Sequence, residues 1–273
     1  MFQTQTTMGP VGSAGRLLWL IYHNTVRSVR KTHGNALMAL VVNIFQTILM
    51  VGIFYAMFEL LGMRGMAIRG DFLLYIMSGI FLYMTHIKAL SAVVGSEGPA
   101  SPMMNHLPMT TTVAIASAAL GALYIQVLSM VVVLYAYHVF WTPIEIHDPV
   151  GSFGMVLMAW FSGVGVGMMF LAAKPWLPGL TQMVTQIWQR ANMFASGKMF
   201  VANMLPAYMI ALFDWNPLFH CVDQARGFMF INYNPHFSSV SYPFYVSLAC
   251  LMVGMMGEFY TRRRVSASWN AKR

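Results

Sequence analysis

A chain of 273 residues that is 58% hydrophobic and only 9% charged, with mean hydropathy +0.61, is no water-soluble globule, since those carry about 25% charged residues. Its formal charge of +8 does not argue for nucleic acid, because in a membrane protein the location of positive charge fixes orientation. Composition predicts an integral membrane protein of the all-α class, one transmembrane domain over 1–273.

The chain opens on "MFQTQTTMGPVGSAG", polar and uncharged, unlike the basic-then-apolar order of a secretory leader. The next stretch, "GRLLWLIYHNTVRSVRKTHG", has two faces when wound as a helix. Arg16, His23, Arg27 and Arg30 line one side; Leu18, Tyr22, Val26 and Val29 line another. Such a helix over 16–33 is expected to lie on the cytoplasmic membrane surface, or else to extend the first span with snorkelling basic residues.

Apolar runs then predict spans at 36–61, 72–94, 112–140 and 152–172, with a last one at 243–260 ending against "TRRR". The loop between the second and third, 95–111, reads "GSEGPASPMMNHLPMTT". Ser101 can cap and Pro102 start a helical turn that Pro108 stops. Met103, Met104 and Leu107 in that turn need cover from a partner or from the lipid surface. In the third and fourth spans, "AIASAALGA" and "SGVGVG" (162–167) are small-residue runs that let helices approach closely.

The region 174–242 admits two registers for a sixth span. Hydropathy favours 193–213; a second register, 178–199, holds Thr181, Gln182, Thr185, Gln186, Gln189, Arg190 and Asn192. Either gives six spans and puts both termini on one side. Arg16, Arg27, Arg30, Lys31, Arg262, Arg263, Arg264, Lys272 and Arg273 mark that side as cytoplasmic. The opposite side carries only Arg64, Arg69 and Arg226, plus Lys198 in the second register. "FASGKMF" fails as a phosphate loop, with Asn192 in place of the first Gly and Met199 in place of Ser or Thr. The chain therefore offers no nucleotide site of its own.

"DWNPLFHCVDQARGFMF" (214–230) concentrates polar residues between apolar segments. A zinc site wants four ligands, and His220 and Cys221, adjacent on a helix, point about 100° apart; neither metal nor catalysis is expected. Cys221 and Cys250 are not expected to pair. Asn216 is a good N-cap and Pro217 fits the first helical position. Asn216, His220, Asp223 and Gly227 would form one face, with Arg226 placed to pair with Asp223. Leu218, Val222, Ala225 and Met229 would form another. Such a half-polar helix suits a membrane–water boundary or the mouth of a pore, and Tyr233–Pro235 would turn the chain after it.

The ordered set Ser196, Gly197, Phe200, Leu205, Pro206, Asn216, Pro217, Leu218, His220 and Arg226 resembles the pattern in the membrane subunit of type-2 ABC exporters for capsular polysaccharide, O-antigen and teichoic acid. The resemblance implies the 178–199 register and an outer gate of two short re-entrant helices over 201–240, with Asn216, Pro217, His220, Asp223 and Arg226 at the gate. It makes Met103, Met104, Asn105, His106 and Leu107 a coupling helix against a separate ATPase. Such loops often hold basic residues, whereas this one offers only Glu97 and His106. An intramembrane Arg190 needs a partner or a wet cavity, and Gln182, Gln186 and Arg190 recur every four residues along one stripe. With Asn43 and Gln46 of the first span they are the expected translocation path.

The expected partners are a second copy of the chain, two ABC ATPase subunits that hold ATP and magnesium, a polysaccharide or glycolipid, and membrane lipid. No cofactor is expected in this chain and no nucleic acid. The expected place is the cytoplasmic (inner) membrane. Other readings are a permease for a drug, lipid or other small molecule, an intramembrane transferase using His220 and Asp223, and a non-catalytic scaffold.

Overall fold

The structure, a computed structural model, describes residues 10–33, 36–62, 70–96 and 111–271. The expected coupling residues Met103, Met104, Asn105, His106 and Leu107 lie outside the described residues, as do Glu97, Arg64 and Arg69. Among the described residues all regular structure is helical. The helices are α1 (Pro10–His33), α2 (Ala36–Leu60), α3 (Phe72–Val94), α4 (Thr111–Phe140), α5 (Pro149–Ala173), α6 (Pro178–Ala195), α7 (Ala207–Phe213), α8 (Pro217–Met229) and α9 (Ser241–Ala271), with a 3-10 turn at Ala202–Met204.

Five of these are long and apolar enough to cross a membrane: α2, α3, α4, α5 and the Ser241–Arg262 part of α9. The first four match the expected spans to within about three residues at each end. Five such helices make this a multi-pass membrane protein. α6 is not among them, because its glutamines, threonines, Arg190 and Asn192 dilute its apolar residues. The helix nevertheless forms at 178–195, while the more apolar window 193–213 does not form one helix. Gly197 breaks it with a left-handed φ of 74°, and Pro206 separates the 3-10 turn from α7.

Local signals start the helices. Asp71 caps α3, its Oδ1 accepting the N–H of Leu73 at 2.9 Å, while its Oδ2 accepts the Tyr137 hydroxyl of α4 at 2.5 Å. Asp148 caps α5 through the N–H groups of Val150 and Gly151 at 3.0 and 2.9 Å, with Pro149 at the first helical position. The backbone N–H of Asp148 donates to the Phe228 carbonyl at 2.8 Å, which ties the start of α5 to the end of α8.

α3 and α5 form the centre. α5 packs against α3, α8 and α9, and the small-residue run 162–167 explains how. A Cβ on Gly163 would lie 2.3 Å from the His86 carbonyl of α3, and one on Gly165 would lie 2.7 Å from the Ser247 carbonyl of α9. The run lets two helices approach on opposite sides. Most of α3 is buried, whereas α2 and α9 expose most of their apolar side chains and α4 exposes a smaller set including Leu120, Tyr124, Val131 and Tyr135, as lipid-facing helices do.

α1 begins at Pro10, upstream of the expected helix, and packs along α4. A Cβ on Gly121 would lie 3.5 Å from the Val29 side chain there, and the Ser117 hydroxyl donates to the Ile21 carbonyl at 3.2 Å. Of the four residues expected on its apolar face only Val29 is buried; Leu18, Tyr22 and Val26 are exposed, as is Trp19.

Candidate functional site

Among the described residues, α6 presents a surface divided by chemistry. Thr181, Thr185 and Asn192 turn inward and are buried. At 100° per residue, Gln189, Gln182, Gln186 and Arg190 then sweep an arc of roughly 100° beside that inward face. The next arc holds Met183, Ile187, Leu180 and Val184. Gln182, Gln186 and Arg190 are exposed and Gln189 is half-buried; Met183, Ile187 and Leu180 are exposed as well. One flank of α6 is thus apolar and the other hydrophilic, on a helix packed against α5 and α3.

Side chains fix that face. The Trp188 indole donates to His86 Nε2 at 3.3 Å. His86 Nδ1 meets the Ser162 hydroxyl at 2.8 Å, and that hydroxyl itself donates to the Ala159 carbonyl. His86 therefore carries its proton on Nδ1, and α6, α3 and α5 are joined through one imidazole. Gln189 reaches the Ser91 hydroxyl at 2.9 Å, and the Tyr83 hydroxyl donates to the Gln189 carbonyl at 3.2 Å. A cavity of about 450 Å³ opens beside the start of α6, lined by Ser91, Lys174, Thr181, Gln182, Thr185 and Gln186 among others.

The turn after α6 is clamped from α8. Arg226, only 1% exposed, donates from Nη1 to the carbonyls of Gly197 and Phe200 at 2.8 and 2.7 Å, and from Nη2 to that of Lys198 at 2.8 Å. Its guanidinium stacks on the Tyr75 ring, 4.1 Å from the centroid. The fit depends on Gly79 of α3, where a Cβ would lie 2.7 Å from that of Lys198. Asn216 completes the clamp. Its Oδ1 accepts the N–H of Leu218 at 3.1 Å, as an N-cap should, and its Nδ2 donates to Asn192 Oδ1 and the Ala195 carbonyl, both at 2.9 Å. Lys198 lies buried between the rings of Tyr83 and Phe54, its Nζ 3.6 and 4.5 Å from their centroids.

The expected pairing of Asp223 with Arg226 does not form. Three backbone carbonyls of a sharp turn take the planar guanidinium, so Asp223 turns elsewhere, accepting the Tyr233 hydroxyl and the Ser238 hydroxyl, the latter at 2.7 Å. Burial, followed by the charge of Asp223, pushes the Tyr233 phenol well above its ordinary range, so Tyr233 stays a donor. His220 Nδ1 accepts the N–H of Ser239 at 3.1 Å, which leaves Nε2 protonated to donate to the Asp214 carbonyl at 2.7 Å. His220 and Asp223 thus serve separate partners and form no acid–base pair. Cys221 is fully buried, and burial pushes its thiol up, which keeps it from being a nucleophile. Where the alternating pattern suggested a half-wet helix, both faces of α8 are buried, with Asn216, Pro217, His220, Asp223 and Arg226 all inside.

Asn43 and Gln46 point toward α4 and α3. Asn43 is buried and donates to Gln126 Oε1 at 3.0 Å and the Ser129 hydroxyl at 2.8 Å. Gln46 Oε1 accepts from Lys88 Nζ at 2.6 Å. Lys88 and Gln126 were missing from the sequence-based set. The signal existed for both, a polar or ionisable side chain inside an apolar span, as for Asn43 and Gln46. Among the described residues no three His, Cys, Asp or Glu side chains gather as a metal requires. No protein-family model matches the chain, and no curated protein matches it.

Proposed function

We propose that the chain is the permease half of an ABC exporter that moves a surface polysaccharide, of capsule type or lipid-linked, across the cytoplasmic membrane. The observation that carries this reading is the split surface of α6, with glutamines and a guanidinium exposed beside an equally exposed apolar flank. An Arg facing hydrocarbon costs several kcal/mol, roughly 2.5 or more at mid-bilayer. A second copy of the chain removes that cost if the two α6 helices face each other across water, with their apolar flanks on lipid.

With α6 as a sixth crossing, both termini lie on one side. The basic residues there, including Arg27, Arg262 and Arg264, make it the cytoplasm. α7 and α8 then sit at the outer end of α6 as a gate that Arg226 and Asn216 hold in shape. Glycans have hydroxyls that need hydrogen-bond partners and apolar faces that stack on rings. The glutamines of α6 supply the first; the exposed Trp215 and Tyr208 near its outer end supply the second. Two separate ATPase subunits drive the cycle through the loop before α4, since this chain lacks a phosphate loop of its own.

Purification of the tagged full-length chain from its native membrane tests this. Two copies of the chain are expected to come down with two copies of a nucleotide-binding subunit, and deletion of the gene is expected to trap polymer inside the cell. A lone chain without an ATPase, and unchanged surface polymer in the deletion strain, would refute it.

A further inference from the structure

A second cavity, of about 290 Å³, lies between α1, α2, α3 and α4. Its polar lining includes Asn43, Gln46, Lys88, Ser91 and Gln126, and no carboxylate is among its lining residues. The two glutamines spend their acceptors on neighbouring side chains. The Oε1 of Gln126 accepts from Asn43, while its Nε2 has no hydrogen-bond partner although the residue is only 2% exposed. The Oε1 of Gln46 accepts from Lys88, which leaves the Gln46 amide N–H groups and the rest of the Lys88 ammonium to donate. The Oε1 acceptors of both glutamines are in use, Asn43 Oδ1 is the one amide acceptor left over, and the rest of the unassigned capacity is amide donors plus one cation. An ammonium and unused amide donors beside a cavity with no carboxylate in its lining favour an anion with several oxygens.

We propose that this cavity binds a phosphate group, held by Lys88 and Gln46, with the unpartnered Gln126 amide in the wall behind them. The proposal rests on the cavity alone and stands apart from the export reading. Lys88 lies six residues before the end of α3 at Val94, about 9 Å along the helix, close to where lipid headgroups meet the hydrocarbon. Phe45 and Leu49, exposed on α2, flank Gln46, and Val29, Val42 and Ile125 supply apolar lining. A phosphodiester headgroup with its acyl chain along α2 matches both parts, and free phosphate shares the recognised chemistry.

Native mass spectrometry of the full-length chain, delipidated in detergent, separates these sources. The probes are phosphatidylglycerol, diacylglycerol and inorganic phosphate. One phosphatidylglycerol per chain is expected to bind roughly tenfold more tightly than diacylglycerol, the worth of one charge-assisted contact. Lys88→Gln is expected to abolish that preference, and Arg262→Gln, an equally basic but exposed position on α9, to keep it. Gln126→Glu, which swaps the free donor for an acceptor in the same shape, provides the second test if Lys88→Gln does not elute as a folded species. Displacement of the lipid by millimolar inorganic phosphate, or phosphate binding without lipid, would support the site with free phosphate as its source. Equal retention of phosphatidylglycerol and diacylglycerol with no phosphate binding, or a preference unchanged in both variants, would overturn the proposal.

Discussion

Arg226→Met is expected to stop the chain from accumulating as a folded protein. The side chain is buried to 1% exposure and satisfies three carbonyls of the 196–200 turn. Methionine fills similar space but leaves the carbonyls of Gly197, Lys198 and Phe200 without that donor, the first two of them buried. A buried acceptor left unpaired costs about 1–3 kcal/mol, so three of them are a large share of the 5–15 kcal/mol that holds a typical domain folded. Arg226→Lys should fall between, because an ammonium cannot reproduce the planar fork that serves Nη1 and Nη2 together. Fluorescence-detected size-exclusion chromatography of a tagged chain, with a thermal ramp, reads both variants. A wild-type melting profile for Arg226→Met would mean that the clamp contributes little.

Arg190→Ala is expected to do the opposite: normal insertion and melting, but export of surface polymer lowered roughly tenfold or more, the worth of a lost charge-assisted contact. Arg190 is exposed on α6, so folding of the single chain does not depend on it. If it borders a path, the chain loses a contact to passing hydroxyls and part of the reason for water to stay there. Met183→Ala, on the neighbouring apolar flank, serves as the matched control and is expected to export normally. Quantitative immunoblotting of membranes beside surface-polymer staining distinguishes lost transport from lost protein. Full export by Arg190→Ala at normal abundance would remove this residue from the path.

The contrast between the two arginines shows what the sequence made legible. Both looked like polar residues stranded between apolar segments. Arg190 could be read because Gln182 and Gln186 repeat at four-residue spacing, and local periodicity determines which side chains share a helix face. Helix bounds were readable for the same kind of reason, since apolar runs and Pro217 after Asn216 are local signals. The Asp148–Pro149 cap is local too but was not used, and the fourth span is expected from 152 where α5 starts at Pro149. Arg226 was assigned to Asp223, three residues away, because that is the only partner local spacing offers. Its real partners are carbonyls 26 to 29 residues distant in the chain, brought near by the left-handed Gly197 and the bare Cα of Gly79. Asn43 and Gln46 show the same limit. Their spacing placed them on one face of α2, but which neighbour that face meets is settled by packing with α3 and α4, more than forty residues away in the chain.

The export reading depends on water reaching one flank of α6 and lipid the other, and thiol labelling measures that directly. In a chain carrying Cys221→Ala and Cys250→Ala, cysteine is placed singly at 182, 186 and 190, and at 183 and 187. A charged, membrane-impermeant thiol reagent applied to oriented membranes is expected to label Gln182→Cys, Gln186→Cys and Arg190→Cys, with Met183→Cys and Ile187→Cys protected. Protection at all five positions, or equal labelling at all five, would contradict the account.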